Sequence, residues 1–138
     1  MVKRLPSLAA WPPTLRWLIW GVYVVTWTYY LLTPNPPLRD MFLEPTSRYL
    51  IAKTVHVGAY AVLTILCSWL PVRGRWRWLL VAFVSLHGMA TEYLQQFFER
   101  GSSWRDVGFD HLGLALGLVI SWRWWRRPPL LTRGTKEA

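Results

Sequence analysis

Ionisable residues are concentrated in the segment TEYLQQFFERGSSWRDVGFDHLGLALG, at positions 91–117, which lies between long apolar runs. A carboxylate can act as a general acid or base, and an arginine can hold a phosphate or carboxylate through two parallel hydrogen bonds. Glu92 and Asp106 are therefore candidate catalytic groups, and Arg100 and Asp110 are candidate ligand contacts. Asp106 is also placed to cap a helix that begins near it, so its role has two interpretations.

A second polar group lies in the segment KTVHVGAY, where Lys53, His56 and Tyr60 are separated by three and four residues. Because an α-helix turns by about 100° per residue, these three side chains share one face of a helix. We predict His56 to be a third catalytic candidate. Lys53, Tyr60 and, from the later segment, Gln95 complete the predicted ligand contacts.

Side chains of the types that bind metals are present, but their spacing does not indicate a metal site. The patterns H-x-x-x-H, E-x-x-H and C-x-x-C are absent from the sequence. The G-x-S-x-G nucleophile elbow and the G-x-x-x-x-G-K phosphate loop are absent as well. The sequence therefore predicts no metal and no cofactor, although four residues are of ligand type: His56, Glu92, Asp106 and Asp110.

Four apolar segments must position these residues. The chain is 53% hydrophobic and contains 11 Trp, which is more apolar surface than a soluble domain of 138 residues hides easily. The segments approach the roughly 20 residues that cross a bilayer core, at about residues 14–32, 49–70, 78–98 and 107–125. Because backbone groups must be paired in lipid, the segments should be helices. We predict an all-α, four-helix transmembrane bundle, with residues 1–138 in one domain and residues 129–138 as a flexible tail.

Lysine and arginine residues are unevenly distributed between the two ends of this bundle. Eleven lie on one side and five on the other, and nine of the 11 Trp residues lie near the basic side. Positive charge favours the cytoplasmic side, so we predict a multi-pass protein of the cytoplasmic (inner) membrane with both termini cytoplasmic. The net charge of +9 is also typical of nucleic-acid binding. However, the interleaved Arg and Trp at helix ends favour an interfacial belt, so no nucleic-acid partner is predicted.

Polar residues form one face on each of three segments, and a charge facing lipid at mid-helix would cost roughly 2.5–3.5 kcal/mol. These faces should therefore meet inside the bundle, toward its extracytoplasmic half. There Lys53 or Arg100 can neutralise Glu92, and Arg100 or Arg105 can neutralise Asp106. The faces consist of Tyr49, Lys53, His56 and Tyr60; of Ser85, Gly88, Glu92, Gln95, Gln96 and Glu99; and of Asp106, Asp110, Gly113 and Gly117.

Two glycines on the third face, and two histidines that lie off the polar faces, are predicted to pack helices together. Gly113 and Gly117 form a G-x-x-x-G pattern, and small residues let helices approach closely in membranes. Since the aspartates occupy the same face, we expect close packing within the bundle, with a contact between two copies as the alternative. His87 and His111 lie off the polar faces and are predicted to be structural.

The two polar blocks resemble the VanZ-like family of membrane proteins. The matching residues are, in order, Lys53, His56, Tyr60, Glu92, Gln95, Arg100, Asp106, Gly113 and Gly117. The resemblance implies the four-helix layout and a place in the cell envelope, in a family whose founding member is associated with resistance to the antibiotic teicoplanin. This chain has Asp110 where the family commonly has Asn, and Ala52 where it often has Asp. Antibiotic resistance is therefore not carried over to this chain.

Three functional hypotheses follow. The first is a polar pocket on the extracytoplasmic side that binds, or acts on, an envelope lipid or glycopeptide-like amphiphile, with membrane lipids and a lipid-linked envelope precursor as partners. The second is a non-catalytic structural or partner-binding membrane subunit whose polar faces only fix helix register. The third, an ion path, is disfavoured because the cytoplasmic halves of the segments lack a polar chain. Whether a reaction is catalysed, and the oligomeric state, are left open.

Overall fold

The computed structural model describes residues 11–34, 44–98 and 103–126, and these ranges form four α-helices without a strand. The helices are α1 (Pro13–Leu32), α2 (Pro45–Trp69), α3 (Arg75–Gln95) and α4 (Trp104–Arg126). The predicted all-α class with four helices is therefore confirmed. The predicted tail at residues 129–138 and the candidate Arg100 lie outside the described residues.

Proline, glycine and serine residues set the beginnings of the helices. Pro13 and Pro45 stand in the first turns of α1 and α2, where a missing backbone N–H costs nothing. Gly74 precedes α3 with a φ of 53°, a left-handed conformation that glycine adopts without steric cost. Ser103 precedes α4, and its hydroxyl accepts a hydrogen bond from the backbone N–H of Arg105 at 3.3 Å. α2 begins before the predicted residue 49 because Pro45 supports an earlier first turn.

Consecutive helices run antiparallel, so α2 is parallel to α4 and α1 is parallel to α3. The C-terminus of α1 lies beside that of α3, since the Gln95 side chain donates to the Leu31 carbonyl at 3.1 Å. We call this the carboxylate end, because the described carboxylates lie toward it: Glu44, Glu92, Asp106 and Asp110. The opposite end is called the arginine end, and it holds Arg16, Arg73, Arg75, Arg77, Arg123 and Arg126.

The parallel helices α2 and α4 make the most extensive contact in the bundle. A Cβ atom on Gly113 would overlap the Val57 carbonyl oxygen, and one on Gly117 would lie 2.6 Å from the Ala61 carbonyl oxygen and the Thr64 Cβ. The α4 backbone therefore lies against the α2 backbone, as well as against α2 side chains, at the level of both glycines. This confirms that the G-x-x-x-G pattern packs within the bundle.

Polar residues are unusually frequent in the interior of this bundle. Among the described residues, nine buried side chains are polar or charged and ten are hydrophobic. Large apolar side chains are exposed on the outside, including Val25 on α1, Leu86 on α3 and Val119 on α4. Exposed apolar side chains on several helices are typical of a surface that contacts lipid or another protein.

By length and composition, α2 is the one helix in the described ranges that is apolar enough to span a membrane. The buried core helix of a soluble protein can meet the same condition. The other three helices contain more Trp, Tyr and Arg residues or carboxylates, and these lower the mean hydropathy of a helix even though Trp and Tyr rings are largely apolar. Four spans were expected from the sequence, and this criterion supports one of them.

The glycine contacts make a testable prediction about stability. Gly113→Ala should lower the free energy of unfolding by about 1–3 kcal/mol, because α4 must move away from the Val57 backbone. Chemical denaturation of the purified protein measures this change. Gly58→Ala on α2 is the control, since its new Cβ meets nothing within 4 Å and alanine favours the helix. Equal stability of the two variants would contradict the close-packing interpretation.

Candidate functional site

Four predicted site residues meet between α2 and α4. The ammonium group of Lys53 forms an ion pair with Asp106 Oδ1, and His56 Nδ1 lies 2.8 Å from Asp110 Oδ1. Lys53 and His56 lie three residues apart on α2, and Asp106 and Asp110 lie four residues apart on α4. Because the two helices are parallel, each pair forms one face and the two faces meet. Lys53, His56, Asp106 and Asp110 are called the α2–α4 cluster below.

The structure changes the predicted partner of Lys53. The sequence suggested Glu92 for this lysine and an arginine for Asp106, whereas the structure pairs Lys53 with Asp106. The reason is that Gly113 and Gly117 let α4 approach α2 closely, so α2 lies closer to α4 than to α3. Asp106 also lies in the first turn of α4, where a negative charge is favoured by the helix dipole.

Aromatic rings hold the Lys53 side chain in place. Its ammonium nitrogen lies 5.0 Å from the centroid of the Tyr49 ring and 5.9 Å from that of the Phe109 ring. These distances allow cation–π attraction in addition to the ion pair with Asp106. The lysine is therefore committed to contacts within the chain and is not a free cation.

Asp110 is almost completely buried, and α3 makes room for it. A Cβ atom on Gly88 would lie 3.1 Å from Asp110 Oδ2, so the glycine leaves the space that the carboxylate fills. The carboxylate orients the His56 ring through Nδ1. The other ring nitrogen of His56, Nε2, has no hydrogen-bond partner among the residues that the structure describes. A histidine oriented by an aspartate with its second nitrogen unoccupied has the arrangement of a general base.

Glu92 and Gln95, on α3, bind the ends of neighbouring helices. Glu92 is buried, and its carboxylate accepts a hydrogen bond from the backbone N–H of Ser103, just before α4. Gln95 donates to the Leu31 carbonyl at the end of α1. Glu92 was predicted to be catalytic and Gln95 to contact a ligand, and the structure places both at the carboxylate end near the α2–α4 cluster, each with a partner inside the chain.

Tyr60 leads to a hydrogen-bonded chain that the sequence interpretation missed. Its hydroxyl lies 2.9 Å from His87 Nδ1, and His87 Nε2 lies 2.8 Å from Thr28 Oγ1. Thr28 donates its own proton to the Val24 carbonyl, so in the neutral imidazole Nε2 donates to Thr28 and Nδ1 accepts from Tyr60. His87, predicted to be structural, thus links α1, α2 and α3. His87 and Thr91 both approach the Tyr60 hydroxyl, and their spacing of four residues could have indicated these hydrogen bonds from the sequence.

His111 has the structural role that was predicted. Its Nδ1 donates to the Val107 carbonyl at 2.7 Å, so Nε2 accepts a hydrogen bond from Ser85 at 2.8 Å. This contact connects α4 with α3 and uses both ring nitrogens.

Trp27 contributes an unpaired donor beside the cluster. It is nine-tenths buried, and its indole N–H has no hydrogen-bond partner in the described part of the chain. Its ring contacts the edges of the His56 and Tyr60 rings, with centroids 6.0 Å and 6.5 Å away. The contact of the N–H with the Tyr60 hydroxyl falls outside normal hydrogen-bond geometry, so this buried donor is only weakly satisfied.

Negative charge dominates the described residues of the site. Three carboxylates, from Glu92, Asp106 and Asp110, face one lysine and the titratable ring of His56. In the described ranges, no three side chains of His, Cys, Asp or Glu are arranged to hold a metal ion. The site therefore presents several hydrogen-bond acceptors around one oriented imidazole.

The ion pair between α2 and α4 predicts strong energetic coupling. Lys53→Met and Asp106→Asn should each destabilise the protein, because each leaves the other group without its partner in a partly buried position. The double variant should be more stable than the sum of the singles implies, by about 0.5–3 kcal/mol. Chemical denaturation of the four proteins measures this coupling.

The matched control replaces the exposed neighbouring cation, as Arg105→Met, and combines it with Asp106→Asn. This second cycle should give a coupling energy close to zero. Equal coupling in both cycles would show that Asp106 responds to general positive charge and not to Lys53.

Comparisons with known proteins give no match for this chain. No family model, no curated protein and no solved structure is similar to it at a significant level. The resemblance to the VanZ-like family therefore stays a prediction from the motif residues. The function must be argued from the geometry of the site.

Proposed function

We propose that this chain is a multi-pass membrane protein whose carboxylate end binds the hydroxyl-rich head of an envelope amphiphile. The observation that carries the proposal is the buried, acceptor-rich α2–α4 cluster inside a bundle with an apolar exterior. An amphiphile supplies both the apolar chain and the polar head that such a surface and such a site require.

Membrane insertion is supported by helix length and by the distribution of polarity. The four helices contain 20, 25, 21 and 23 residues, each close to or above the roughly 20 that cross a bilayer core. Intramembrane charges normally face the bundle interior and pair with one another, as Lys53 and Asp106 do here. The basic and Trp-rich arginine end favours the cytoplasmic side, so the carboxylate end would face outward from the inner membrane with both termini inside.

The chemistry of the cluster favours a glycosylated head over a purely anionic one. Sugar hydroxyls donate hydrogen bonds, and the site offers the oxygens of Glu92 and Asp110 and the Nε2 atom of His56 as acceptors. An anionic head would be repelled, because the described residues of the site include three carboxylates and one lysine. The indole N–H of Trp27, which makes no hydrogen bond of normal geometry in the described chain, would supply one donor for a sugar or linkage oxygen.

If the protein acts on its ligand, His56 is the residue best placed to accept a proton. Asp110 fixes the ring through Nδ1 and leaves Nε2 to meet a hydroxyl. Asp106 is held by Lys53, and Glu92 is held by the Ser103 backbone, so both act in positioning the cluster. A lipid-linked envelope precursor carries this combination of hydroxyls and apolar chain, in agreement with the cell-envelope role that the VanZ-like resemblance implies.

A second candidate function is a structural or partner-binding subunit without a ligand. It is favoured by the number of polar groups that already bridge helices within the chain. Lys53 and His56 join α2 to α4, His87 joins α3 to α1 and α2, and Gln95 joins α3 to α1. Such a network fixes helix register whether or not a ligand binds.

Binding and stability measurements separate the two candidates. His56→Gln and Asp110→Asn keep side-chain size, and each should weaken binding of a polyprenyl-linked saccharide to the protein in nanodiscs by about tenfold or more, since one charge-assisted contact is lost. The unfolding temperature should change little in the His56 variant. Glu44→Gln, an exposed carboxylate at the same end, is the control and should bind normally.

Unchanged binding in folded His56 and Asp110 variants would refute the head-group site. Loss of folding in both variants, with no saccharide binding by the natural chain, would favour the register role.

Topology is tested by thiol labelling in intact cells. Ser47→Cys near the start of α2 should react with a membrane-impermeant maleimide, whereas Arg73→Cys in the α2–α3 turn should react only after permeabilisation. The natural Cys67 is buried and serves as the unreactive background. Labelling of both positions in intact cells would contradict the proposed orientation.

A further inference from the structure

A second candidate binding site lies at the arginine end, away from the α2–α4 cluster. The beginning of α3 and the end of α4 enclose a groove of about 480 Å³, lined by Arg75, Trp78, Trp122, Trp125 and Arg126, with Arg77 among its walls. We call it the Arg–Trp groove. None of its residues takes part in the polar network at the carboxylate end.

Arg77 gives the groove a fixed frame. Its side chain donates to the Val72 carbonyl at 3.1 Å, to the Trp124 carbonyl at 3.3 Å and to the Trp125 carbonyl. A cation bonded to the last carbonyls of a helix also interacts favourably with the helix dipole. Arg77 therefore holds the end of α4 against the α2–α3 turn.

The tryptophan walls are ordered by contacts of their own. The rings of Trp78 and Trp125 stack with centroids 6.4 Å apart, and the Trp125 indole donates to Ser121 Oγ at 2.8 Å. Trp78 and Trp122 remain exposed at 61% and 44%, so the groove presents aromatic surface to its surroundings. The apolar walls of the Arg–Trp groove are thus already ordered before a ligand binds.

The two arginines on the groove are exposed and lack a nearby carboxylate in the described chain. The Arg126 guanidinium lies 4.7 Å from the Trp122 ring centroid, and the Arg75 guanidinium lies 5.7 Å from that of Trp76. Stacking on indole rings fixes both cations without neutralising them. In the described ranges, the contacts of a carboxylate with lysine or histidine both lie at the carboxylate end, between α2 and α4.

We infer that the Arg–Trp groove binds one anionic phospholipid, with its phosphate on Arg75 and Arg126 and an acyl chain along Trp78 and Trp122. An arginine fork matches a phosphate in geometry, and a groove with both cations and aromatic walls matches a ligand with both a phosphate and a chain. The inference uses the membrane part of the proposed function. It does not depend on the head-group site at the other end.

Native mass spectrometry of the full chain tests the inference, with phosphatidylglycerol as the probe and phosphatidylcholine as the neutral-headgroup comparison. The double variant Arg75→Gln with Arg126→Gln should bind phosphatidylglycerol roughly 10- to 30-fold more weakly, since each basic residue near an anionic lipid contributes about 1 kcal/mol. Phosphatidylcholine binding should change little. The matched control, Arg73→Gln with Arg123→Gln, removes two exposed arginines from the same end but not from the groove, and should bind normally.

Equal losses in the two double variants would overturn the inference, because they would indicate diffuse attraction to the whole basic end. Displacement of phosphatidylglycerol by millimolar inorganic phosphate would also overturn it, since the apolar walls would then contribute nothing. His56→Gln serves to separate the two proposals. It should leave phosphatidylglycerol binding intact even where saccharide binding is lost, and loss of both would show that the groove is not an independent site.

Discussion

The close parallel contact between α2 and α4 is the constraint on which the rest of this bundle depends. Gly113 and Gly117 remove the side chains that would hold the helices apart, so the α4 backbone lies against Val57, Ala61 and Thr64. Just above this contact, toward the carboxylate end, Lys53 meets Asp106 and His56 meets Asp110. A larger separation would break the Lys53–Asp106 ion pair and the His56–Asp110 hydrogen bond and would leave a buried carboxylate without its partner, at a cost of several kcal/mol.

The bundle separates its two kinds of charge by position along the helices. Buried carboxylates lie toward one end, where they pair with Lys53, His56 and the backbone of Ser103. Exposed arginines and tryptophans lie at the other, where Arg77 closes the last turn of α4. The first arrangement is the basis of the proposed head-group site, and the second is the basis of the inferred phospholipid site. Both follow from placing charge where a partner or an interface compensates it.

The polar interior connects the helices through side-chain hydrogen bonds, and the same contacts surround the proposed binding site. The hydrogen bonds of His87, Gln95 and Glu92 connect all four helices, and a fully paired network favours a single register. Two groups stand out because their pairing within the described chain is incomplete: the Nε2 atom of His56 and the indole N–H of Trp27. They lie beside each other, with ring centroids 6.0 Å apart, and offer an acceptor and a donor at one place. This local incompleteness supports the proposed head-group site over a purely structural core.

The sequence by itself determined that there are four helices, because four apolar runs are separated by segments that cannot continue a helix. It did not determine where α2 begins, since Pro45 supports a first turn four residues before the predicted start. Helical periodicity also placed Lys53, His56 and Tyr60 on one face, although Tyr49 and Gln96, which were assigned to the inward faces, are exposed. For the glycine pair it favoured packing inside the bundle and left a contact between two copies as the alternative. Only the tertiary structure decided the partners, placing Lys53 with Asp106 where Glu92 was expected, and joining His87 to Tyr60 and Thr28. The physical reason is that periodicity fixes a direction around one helix axis. The distance between two helix axes, and the shift of one helix along the other, depend on side-chain volumes from all four helices at once.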